Sequence, residues 1–290
     1  MVTRRGGENF TVMATHGDAP GLVQQVDPDA PSLFRIYDYL LGGGHNFAAD
    51  RAVADKITTL VPGYDVFVRE SRTFVRRAVL HMLTAGIEQF LDLGAGMFSA
   101  HPVHHLAQAE RPDVRVVYVD RDPIAIAGLG LIVHADDPST GVIEADLRHV
   151  DEVLDHAVTT RLLDLTRPVG VVAGSVLHCL PGAEDPAAAL ARYHERLAPG
   201  SLLAASHADG IVLGLESAAA VEDCLARAGI TLVHRSRRQF ADLLGPWQPH
   251  PDGVAPIGLW RPDGLTLPVR ECLWGNAVLA DRRSEPAERA

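Results

Sequence analysis

The chain has 290 residues and a formal net charge of -11, and its length suits one large α/β domain or two small domains. Its arginines are scattered among acidic residues, so we expect no nucleic-acid partner, because such binders usually carry a clustered basic face. The nearest approach to a basic cluster, Arg235, Arg237 and Arg238, is interpreted as the solvated start of a helix. No apolar run follows Met1 or approaches the roughly 20 residues of a membrane helix, so we predict a cytoplasmic protein with no membrane partner.

The first 85 residues divide into a leader and a predicted helical region. Residues 1–30 mix Gly, Asp, Pro and Thr without periodicity, which predicts a disordered leader. Ser32 then caps a helix that a run of three glycines ends, and a second helix begins near Asn46. The longest periodic stretch is Tyr64 to Thr84, a predicted helix with one apolar stripe and its arginines mostly off that stripe. We interpret residues 31–85 as an N-terminal helical extension that forms a cap.

After residue 86, short apolar runs alternate with amphipathic helical segments. The predicted strands are Gln89–Leu91, Val114–Val119, Val142–Ile143, Val169–Ala173, Leu202–Ala205 and a final pair near Val254–Leu259 and Cys272–Leu279. The predicted helices are 101–110, 123–132, 150–157, 185–198 and roughly 214–228. This alternation indicates an α/β fold whose parallel sheet is covered on both faces. The last two strands lack a helix between them and could form a hairpin. No linker interrupts residues 86–280, so this range is predicted to be one domain.

Two groups of residues have the chemistry of metal ligands. The first group comprises the three cysteines, Cys179, Cys224 and Cys272. The second group comprises three histidines on one predicted helix, His101, His104 and His105. The cysteines are odd in number and far apart, which predicts reduced thiols rather than a metal knuckle. No carboxylate or cysteine lies near the histidines in sequence, so we predict a solvated helix face and no metal site.

The first strand of the predicted domain ends in a glycine-rich turn, Asp92-Leu93-Gly94-Ala95-Gly96. Glycines two apart, directly after a buried strand, let the backbone turn tightly and approach a ligand. The third glycine of a dinucleotide-binding loop is missing, because Ser99 stands in its place. Asp92 suits a cofactor with an ammonium group and is awkward beside a pyrophosphate. By itself the loop is weak evidence, and a tight turn without a ligand is the alternative.

The next two strands end in acidic residues. Asp120 follows the second strand, where a carboxylate can accept both ribose hydroxyls of an adenosine. Helix capping is the alternative role for Asp120, although Asp122 fits that cap better. Asp146 follows the third strand, where it can bind the exocyclic amine of adenine while Leu147 packs on the ring; turn chemistry is its alternative. The two acids and the glycine loop on successive strand ends predict an adenosine-bearing cofactor.

The order Asp-x-Gly-x-Gly, then Asp after the second strand, then Ala-Asp-Leu after the third, resembles class I S-adenosylmethionine-dependent methyltransferases. Further segments resemble an actinobacterial group once catalogued as a domain of unknown function and now as S-adenosyl methyltransferase. These segments are 31–43, 45–51, 90–96, 117–123 and 259–262. The resemblance spans roughly residues 31–280, and the signature at 31–51 is its most specific part.

The resemblance implies a Rossmann-like seven-stranded sheet with strand seven antiparallel, N-terminal helices over the site, and S-adenosyl-L-methionine as cofactor. The cofactor-binding candidates are Asp92, Gly94, Ala95, Gly96, Asp120, Arg121, Asp146, Leu147, Ser175, Tyr37, Asn46 and Phe47. Asp38 and Arg51 are further candidates for lining the pocket. Ordinary capping by Asn46 and core packing by Phe47 are the alternatives for those two residues.

The fourth strand leads to Ser175 and His178, at the strand end that faces the methyl group and the acceptor in class I enzymes. His178 is a candidate for a general base, because a histidine pKa lies near neutrality. It is a weak candidate, because the pattern Leu-His-x-Leu-Pro is common at this strand end even where the base lies elsewhere. Methyl transfer often needs no base, because the cofactor carries its own activation. The catalytic residue is therefore left unassigned.

Three functions are compatible with these patterns. The preferred one is a methyltransferase that acts on a small molecule or a protein. The second is a non-catalytic cofactor-binding regulator or accessory protein. The third is an NAD(P)-dependent oxidoreductase, which Asp92 and the missing third glycine count against. The motifs name neither the acceptor nor an oligomeric state.

Overall fold

Three short strands come first in the computed structural model: β1 (Val2–Arg4), β2 (Phe10–Val12) and β3 (Gln24–Val26), paired antiparallel in one small sheet. Beyond these strands, the structure describes residues 27–96, 102–133, 137–262 and 269–283. Most of the remaining predicted leader lies outside the described residues, and disorder there stays a prediction.

Three helices follow and form the N-terminal extension. They are α1 (Leu33–Leu40), α2 (Ala48–Leu60) and α3 (Tyr64–Thr84). A buried ion pair joins the first two, since Arg35 Nε lies 2.8 Å from Asp50 Oδ2. Asp50 also accepts from Phe47 N at 2.7 Å, so it satisfies a free N–H at the start of α2. The stripe of α3 that includes Phe74, Ala78 and Met82 packs on the main sheet.

The main sheet has eight strands. They are β4 (Gln89–Leu93), β5 (Arg115–Asp120), β6 (Thr140–Glu144), β7 (Gly170–Ala173), β8 (Leu202–Ala208), β9 (Gln248–Pro249), β10 (Ala255–Pro256) and β11 (Gly275–Asp281). Their order is β10-β11-β8-β7-β4-β5-β6, and β9 also pairs with β11. The strands β4 to β8 are parallel, and β11 runs antiparallel between β8 and β10.

This sheet confirms the predicted Rossmann-like architecture and its antiparallel strand near the C-terminus. Seven strands form one continuous order, and the two-residue β9 adds an eighth at the edge. The predicted strand at Val254–Leu259 is shortened to two residues, because Ile257–Leu259 forms a 3₁₀ turn. Pro249 and Pro256 lie in these short edge strands, where the missing proline N–H costs little.

The remaining helices include those predicted, but one predicted helix is divided and a short helix at Gly210–Leu213 was not predicted. They are α4 (Val103–Glu110), α5 (Pro123–Ile132), α6 (Val150–Asp155), α7 (Ala157–Leu162), α8 (Pro186–Arg196), α9 (Gly210–Leu213), α10 (Leu215–Ala226) and α11 (Arg237–Leu243). The single helix predicted at 150–157 is interrupted at His156. The His156 Nδ1 accepts from Val158 N at 3.1 Å and so caps a new helix. None of the described helices is long and apolar enough to span a membrane.

Two predictions of solvated polar residues are each wrong for one residue, Arg235 and His104, whereas Arg237, Arg238 and His105 are exposed and His101 lies outside the described residues. Arg235 is buried and donates to the carbonyls of Leu177 and Leu180, at 3.1 and 2.7 Å. It precedes α11, which is capped by Ser236, so only the arginines within that helix are exposed. His104 is buried against Tyr118, whose hydroxyl lies 2.8 Å from its Nδ1. In both cases a polar partner offsets the free-energy cost of burying the side chain. The spacing of apolar residues gives no information about such partners.

Candidate active site

A cavity of about 520 Å³ lies at the carboxyl ends of the central parallel strands, with α1 on its opposite side. This edge of a doubly wound sheet is where ligands generally bind. The predicted cofactor-binding residues that line it are Tyr37, Gly94, Gly96, Asp120, Arg121, Asp146, Leu147 and Ser175. The remaining predicted residues, Asp92, Ala95, Asn46 and Phe47, are not on its wall, and neither is His178.

The glycine loop takes a conformation that its glycines make possible. Gly94 and Gly96 have φ values of 66° and 63°, in the left-handed region that side chains disfavour. The N–H groups of Gly94 and Ala95 donate to Val119 O, at 2.8 and 3.1 Å, and hold the loop against β5. A Cβ on Gly94 would lie only 2.2 Å from Val176 Cγ2. Ala95 is fully buried in the core behind the loop, so its side chain does not face the cavity.

Asp120 connects the end of β5 to the glycine loop. Its Oδ2 accepts from Gly96 N and its Oδ1 from Asp122 N, both at 2.8 Å. Burial raises the pKa of Asp120 to about 6. Asp122 carries out the capping role, since its Oδ1 accepts from Ile124 N at 2.9 Å. The Asp120 carboxylate keeps further lone pairs with which it can accept hydrogen bonds from a ligand.

Asp92 lies directly beneath the loop and is almost fully buried. Its Oδ2 has no hydrogen-bond partner within the described residues. Burial, with a smaller contribution from Asp120, raises the pKa of Asp92 to about 7, while the Arg72 guanidinium opposes this rise. Arg72 lines the cavity from α3, and burial lowers its pKa to about 10. A buried carboxylate oxygen without a partner is costly, so a cationic group that enters the cavity would relieve that cost.

Asp146 is held by arginines. Arg148 donates to it through Nε at 2.9 Å and through a second guanidinium nitrogen at 2.5 Å. Arg121 approaches Asp146 Oδ2 at 3.5 Å, and Arg148 also forms an ion pair with Glu184 at 2.5 Å. The hydrogen bonds from Arg148 lower the pKa of Asp146 to about 2, so it remains a carboxylate. Asp146 and Leu147 therefore present a fixed acceptor beside an apolar side chain at this end of the cavity.

The end of β7 brings Ser175 to the cavity and leaves His178 behind the wall. Ser175 has a φ of 56°, and its N–H donates to Ser206 Oγ at 2.9 Å. His178 lies in a 3₁₀ turn, Leu177–Cys179, and is fully buried. Its Nε2 lies 3.2 Å from the hydroxyl of Tyr37, which does line the cavity. Tyr37 therefore stands between His178 and the cavity.

Asn46 and Phe47 organise the connection between α1 and α2. Asn46 Nδ2 donates to Asp38 Oδ2 at 2.9 Å and to Gly43 O at 3.0 Å. The Arg35 guanidinium lies 5.2 Å from the centre of the Phe47 ring. Asp38 lines the cavity, whereas Arg51 is exposed and donates to Asn46 at 3.1 Å. These contacts stabilise the loop that ends α1.

Several cavity residues were not among the candidates. They include Ser32, Val68, Arg72, Cys179, Glu184 and the loop 229–231. Ser32 belongs to the N-terminal signature, and its hydroxyl donates to Asp122 Oδ2 at 2.8 Å, which ties α1 to the end of β5. The others carry no local motif, because helix and loop residues reach the cavity only through the tertiary fold.

Comparison with known proteins decides the family. The profile of the S-adenosyl methyltransferase family matches residues 20–280. The chain belongs to this family. A proposed methyltransferase from Thermobifida fusca YX has a solved structure that is 32% identical, covers 88% of this chain and 96% of its own, and gives a TM-score of 0.81. A search of curated proteins found no significant match.

Two further solved structures are similar to this S-adenosyl methyltransferase. A DUF574 family protein from Streptomyces avermitilis MA-4680 is 29% identical over 88% of this chain and 98% of its own, with a TM-score of 0.81. The plantazolicin methyltransferase BamL, solved with a triazolic desmethylPZN analog and S-adenosylhomocysteine, is 14% identical with a TM-score of 0.51. It covers 88% of this chain and 97% of its own, and at that identity it shows the shared fold alone.

The chain is an S-adenosylmethionine-dependent methyltransferase, as its sequence motifs predicted. The residues present fit that cofactor on two observations. Asp92 Oδ2 is buried behind the cavity wall without a partner among the described residues, and it suits a cofactor whose ammonium group lies nearby in the cavity. The left-handed loop at Gly94 lets backbone approach a ligand closely. When bound, the cofactor supplies a methyl group already activated by its sulfonium.

The raised pKa values predict that cofactor affinity depends on pH. Asp92 and Asp120, with pKa values near 7 and 6, are partly protonated in weak acid. A cofactor with sulfonium and ammonium charges favours the ionised carboxylates, so its Kd should fall about tenfold or more as pH rises from about 5.5 to 8. Calorimetric titration at several pH values measures this. Asp92→Asn should flatten the dependence, and an unchanged slope in that variant would contradict the assignment.

The ligand-free protein should show the opposite trend in stability. A carboxyl whose pKa is raised on folding binds protons more readily in the folded state than in the unfolded state, where its pKa is 3.8. Stability is therefore lost as pH rises from about 4 to 7. Thermal unfolding without cofactor should give a lower Tm near pH 7 than near the middle of this pH window. Asp92→Asn should make this difference in Tm smaller.

Proposed function

We propose that this methyltransferase transfers the methyl group of S-adenosylmethionine to a small molecule. The observation that supports this most strongly is the enclosure of the cavity by parts of the chain from several directions. Tyr37 comes from α1, Val68 from α3, Ser175 from the end of β7 and Ile230 from the loop after α10. Its volume of about 520 Å³ lies within the range of about 300–1,000 Å³ that is typical of small-molecule sites.

The proposal assigns the cofactor to the loop and the strand ends. Asp120 accepts hydrogen bonds from the ribose hydroxyls, and Asp146 with Leu147 holds the adenine. Asp92 and Arg72 have the charges to bind the ammonium and carboxylate groups of the methionine part. The backbone of Gly94 and Gly96 makes the close approach to the ligand. Arg121 lies at the adenine end, where it supports Asp146 at 3.5 Å.

The chain's own contribution to the reaction is positioning. Methyl transfer requires the acceptor atom to be aligned with the methyl group and shielded from water. Ser175 and Cys179 line the cavity after β7, on the side that faces Tyr37. We assign the acceptor to this region, covered by α1. A cytoplasmic location and the absence of a nucleic-acid substrate remain predictions from the composition.

Label transfer tests the proposal. The full chain is incubated with S-adenosylmethionine carrying a trideuterated methyl group and with an extract of actinobacterial cells separated into small-molecule and protein fractions. We expect the label in a small molecule, with S-adenosylhomocysteine formed in equal amount. Asp120→Ala serves as the control with weakened cofactor binding, so label transfer should fall in parallel with its cofactor affinity.

Two other outcomes would replace the proposal. Label found only in the protein fraction would identify a protein acceptor. Calorimetric binding of S-adenosylmethionine without label in either fraction would favour the non-catalytic regulator or accessory protein. Membership of the S-adenosyl methyltransferase family argues against the third possibility, an NAD(P)-dependent oxidoreductase.

A further inference from the structure

Tyr37 is a cavity residue whose neutral hydroxyl meets buried polar groups. It lines the cavity from α1, and its hydroxyl oxygen lies 3.2 Å from His178 Nε2. Burial is the main cause that raises the Tyr37 pKa well above its usual value. Tyr64 adds to it through its charge and through a hydrogen-bonding interaction with the Tyr37 hydroxyl, and Cys179 adds through its charge. A phenol with a raised pKa stays protonated, so it can donate a hydrogen bond but cannot take a proton from a substrate.

The surroundings of His178 determine which of its nitrogens carries hydrogen. Its Nδ1 is buried and has no hydrogen-bond partner within the described residues. Buried N–H groups without an acceptor are rarer than buried acceptors without a donor. The favoured tautomer therefore has a bare Nδ1 and a hydrogen on Nε2, which donates to the Tyr37 oxygen. The hydrogen of Tyr37 is then directed away from His178, and the neighbouring Tyr64 hydroxyl is the protein group that competes with a ligand for it.

A second histidine and an arginine hold His178 neutral and in place. His207 Nε2 lies 2.9 Å from an Arg235 nitrogen, and His207 Nδ1 lies 2.9 Å from Ala208 O. Because arginine only donates, His207 must accept at Nε2 and donate from Nδ1. Arg235 also donates to Leu177 O and Leu180 O, on either side of His178. Burial, with His207, His234 and Arg235, lowers the pKa of His178 well below its usual value.

We propose that Tyr37 recognises the methyl acceptor by donating its hydroxyl hydrogen to an oxygen or nitrogen lone pair, and that His178 is the positioning residue that fixes this hydroxyl. The inference rests on the proposed small-molecule methyl transfer. It narrows the acceptor to small molecules that carry a hydrogen-bond-accepting oxygen or nitrogen near the methylated atom. It also replaces two expectations from the sequence, since His178 is not a general base and Tyr37 binds the acceptor rather than the cofactor.

Nitrogen NMR tests the role of His178 without any acceptor. The full chain is labelled with ¹⁵N-histidine, and the His178 signals are assigned by their loss in His178→Gln. We expect a neutral ring with hydrogen on Nε2 from about pH 5.5 to 8, and a changed Nε2 shift in Tyr37→Phe. Hydrogen on Nδ1, or an imidazolium that titrates within this range, would overturn the positioning role. This result stands even if the extract yields no methyl transfer.

The label-transfer assay tests the role of Tyr37. Tyr37→Phe should raise the amount of extract needed for half-maximal rate by about tenfold or more, because the acceptor loses a hydrogen bond. Its calorimetric Kd for S-adenosylhomocysteine should stay within about twofold of the unmodified chain. Tyr39→Phe is the matched control, since the Tyr39 hydroxyl donates to Asp55 at 3.1 Å outside the cavity.

The Kd for S-adenosylhomocysteine and the rate of label transfer together distinguish a failure of this inference from a failure of the proposed function. An equal loss of S-adenosylhomocysteine affinity and of rate in Tyr37→Phe would make Tyr37 a cofactor-binding residue and overturn the inference. An unchanged rate would show that no acceptor contact depends on Tyr37. Absence of turnover in the unmodified chain would instead count against the proposed small-molecule methyl transfer.

Discussion

Gly94→Ala is expected to lower the free energy of unfolding by about 3 kcal/mol and to abolish measurable cofactor binding. Two costs combine at this position. The left-handed backbone, with a φ of 66°, costs an alanine about 1–2 kcal/mol. The added Cβ would lie 2.2 Å from Val176 Cγ2, and overpacking of this kind typically costs about 1–3 kcal/mol. Any relaxation that relieves the clash displaces the loop beneath the ligand. Urea unfolding and calorimetry measure the two effects.

Gly86→Ala is the matched control for this prediction. Gly86 also has a left-handed backbone, with a φ of 93°, but a Cβ there would meet no atom within 4 Å. We expect it to carry the backbone cost alone, about 1–2 kcal/mol, and to leave cofactor affinity unchanged. Equal destabilisation by the two substitutions would show that the contact with Val176 is relieved without cost. It would contradict the steric cost predicted for Gly94→Ala.

Asp120→Ala should weaken the binding of S-adenosylmethionine by about 1–3 kcal/mol, which is roughly 5- to 150-fold in Kd. The carboxylate has two roles here. It is assigned to the ribose hydroxyls, and it holds the loop through Gly96 N and Asp122 N, at 2.8 Å each. Asp113→Ala is the matched control, because Asp113 is exposed in the turn that precedes β5 at its other end. Calorimetry compares both variants with the unmodified chain.

The two roles of Asp120 can be separated by measuring stability in parallel. If Asp120→Ala lost stability while Kd stayed within about twofold, the carboxylate would serve only to shape the loop. If Kd rose as predicted with little change in the unfolding midpoint, ligand contact would be its main role. We expect Kd to rise with little change in the unfolding midpoint, because the loop also has hydrogen bonds from Gly94 N and Ala95 N to Val119 O.

The parts of the site that follow strand ends were predictable from sequence, for a local reason. Each buried strand is a short apolar run, and the residues directly after it are placed at one sheet edge by the parallel topology. The sequence alone therefore predicts that Gly94, Asp120 and Asp146 lie close together at one edge of the sheet. The structure adds how they are partnered, with Asp146 held by Arg148 and Asp120 by the loop backbone.

The residues contributed by helices were harder to predict. Arg72 lies off the apolar stripe of α3, which predicts exposure, yet the cavity and Asp92 face that side of the helix. Hydrophobic periodicity reports only apolar contacts, so a half-buried arginine that faces a cavity leaves no signal in it. Asn46 and Phe47 belong to the sequence motif but do not line the cavity. They contact Asp38 and Arg35 and so stabilise the loop next to the cavity wall.

We expect this cavity to hold a sulfonium cofactor, and calorimetry with three ligands measures this. S-adenosylmethionine, S-adenosylhomocysteine and NAD are titrated into the full chain under the same conditions. We expect Kd values in the micromolar range or below for S-adenosylmethionine and S-adenosylhomocysteine, and no measurable binding of NAD. Micromolar binding of NAD together with no binding of S-adenosylmethionine would contradict it.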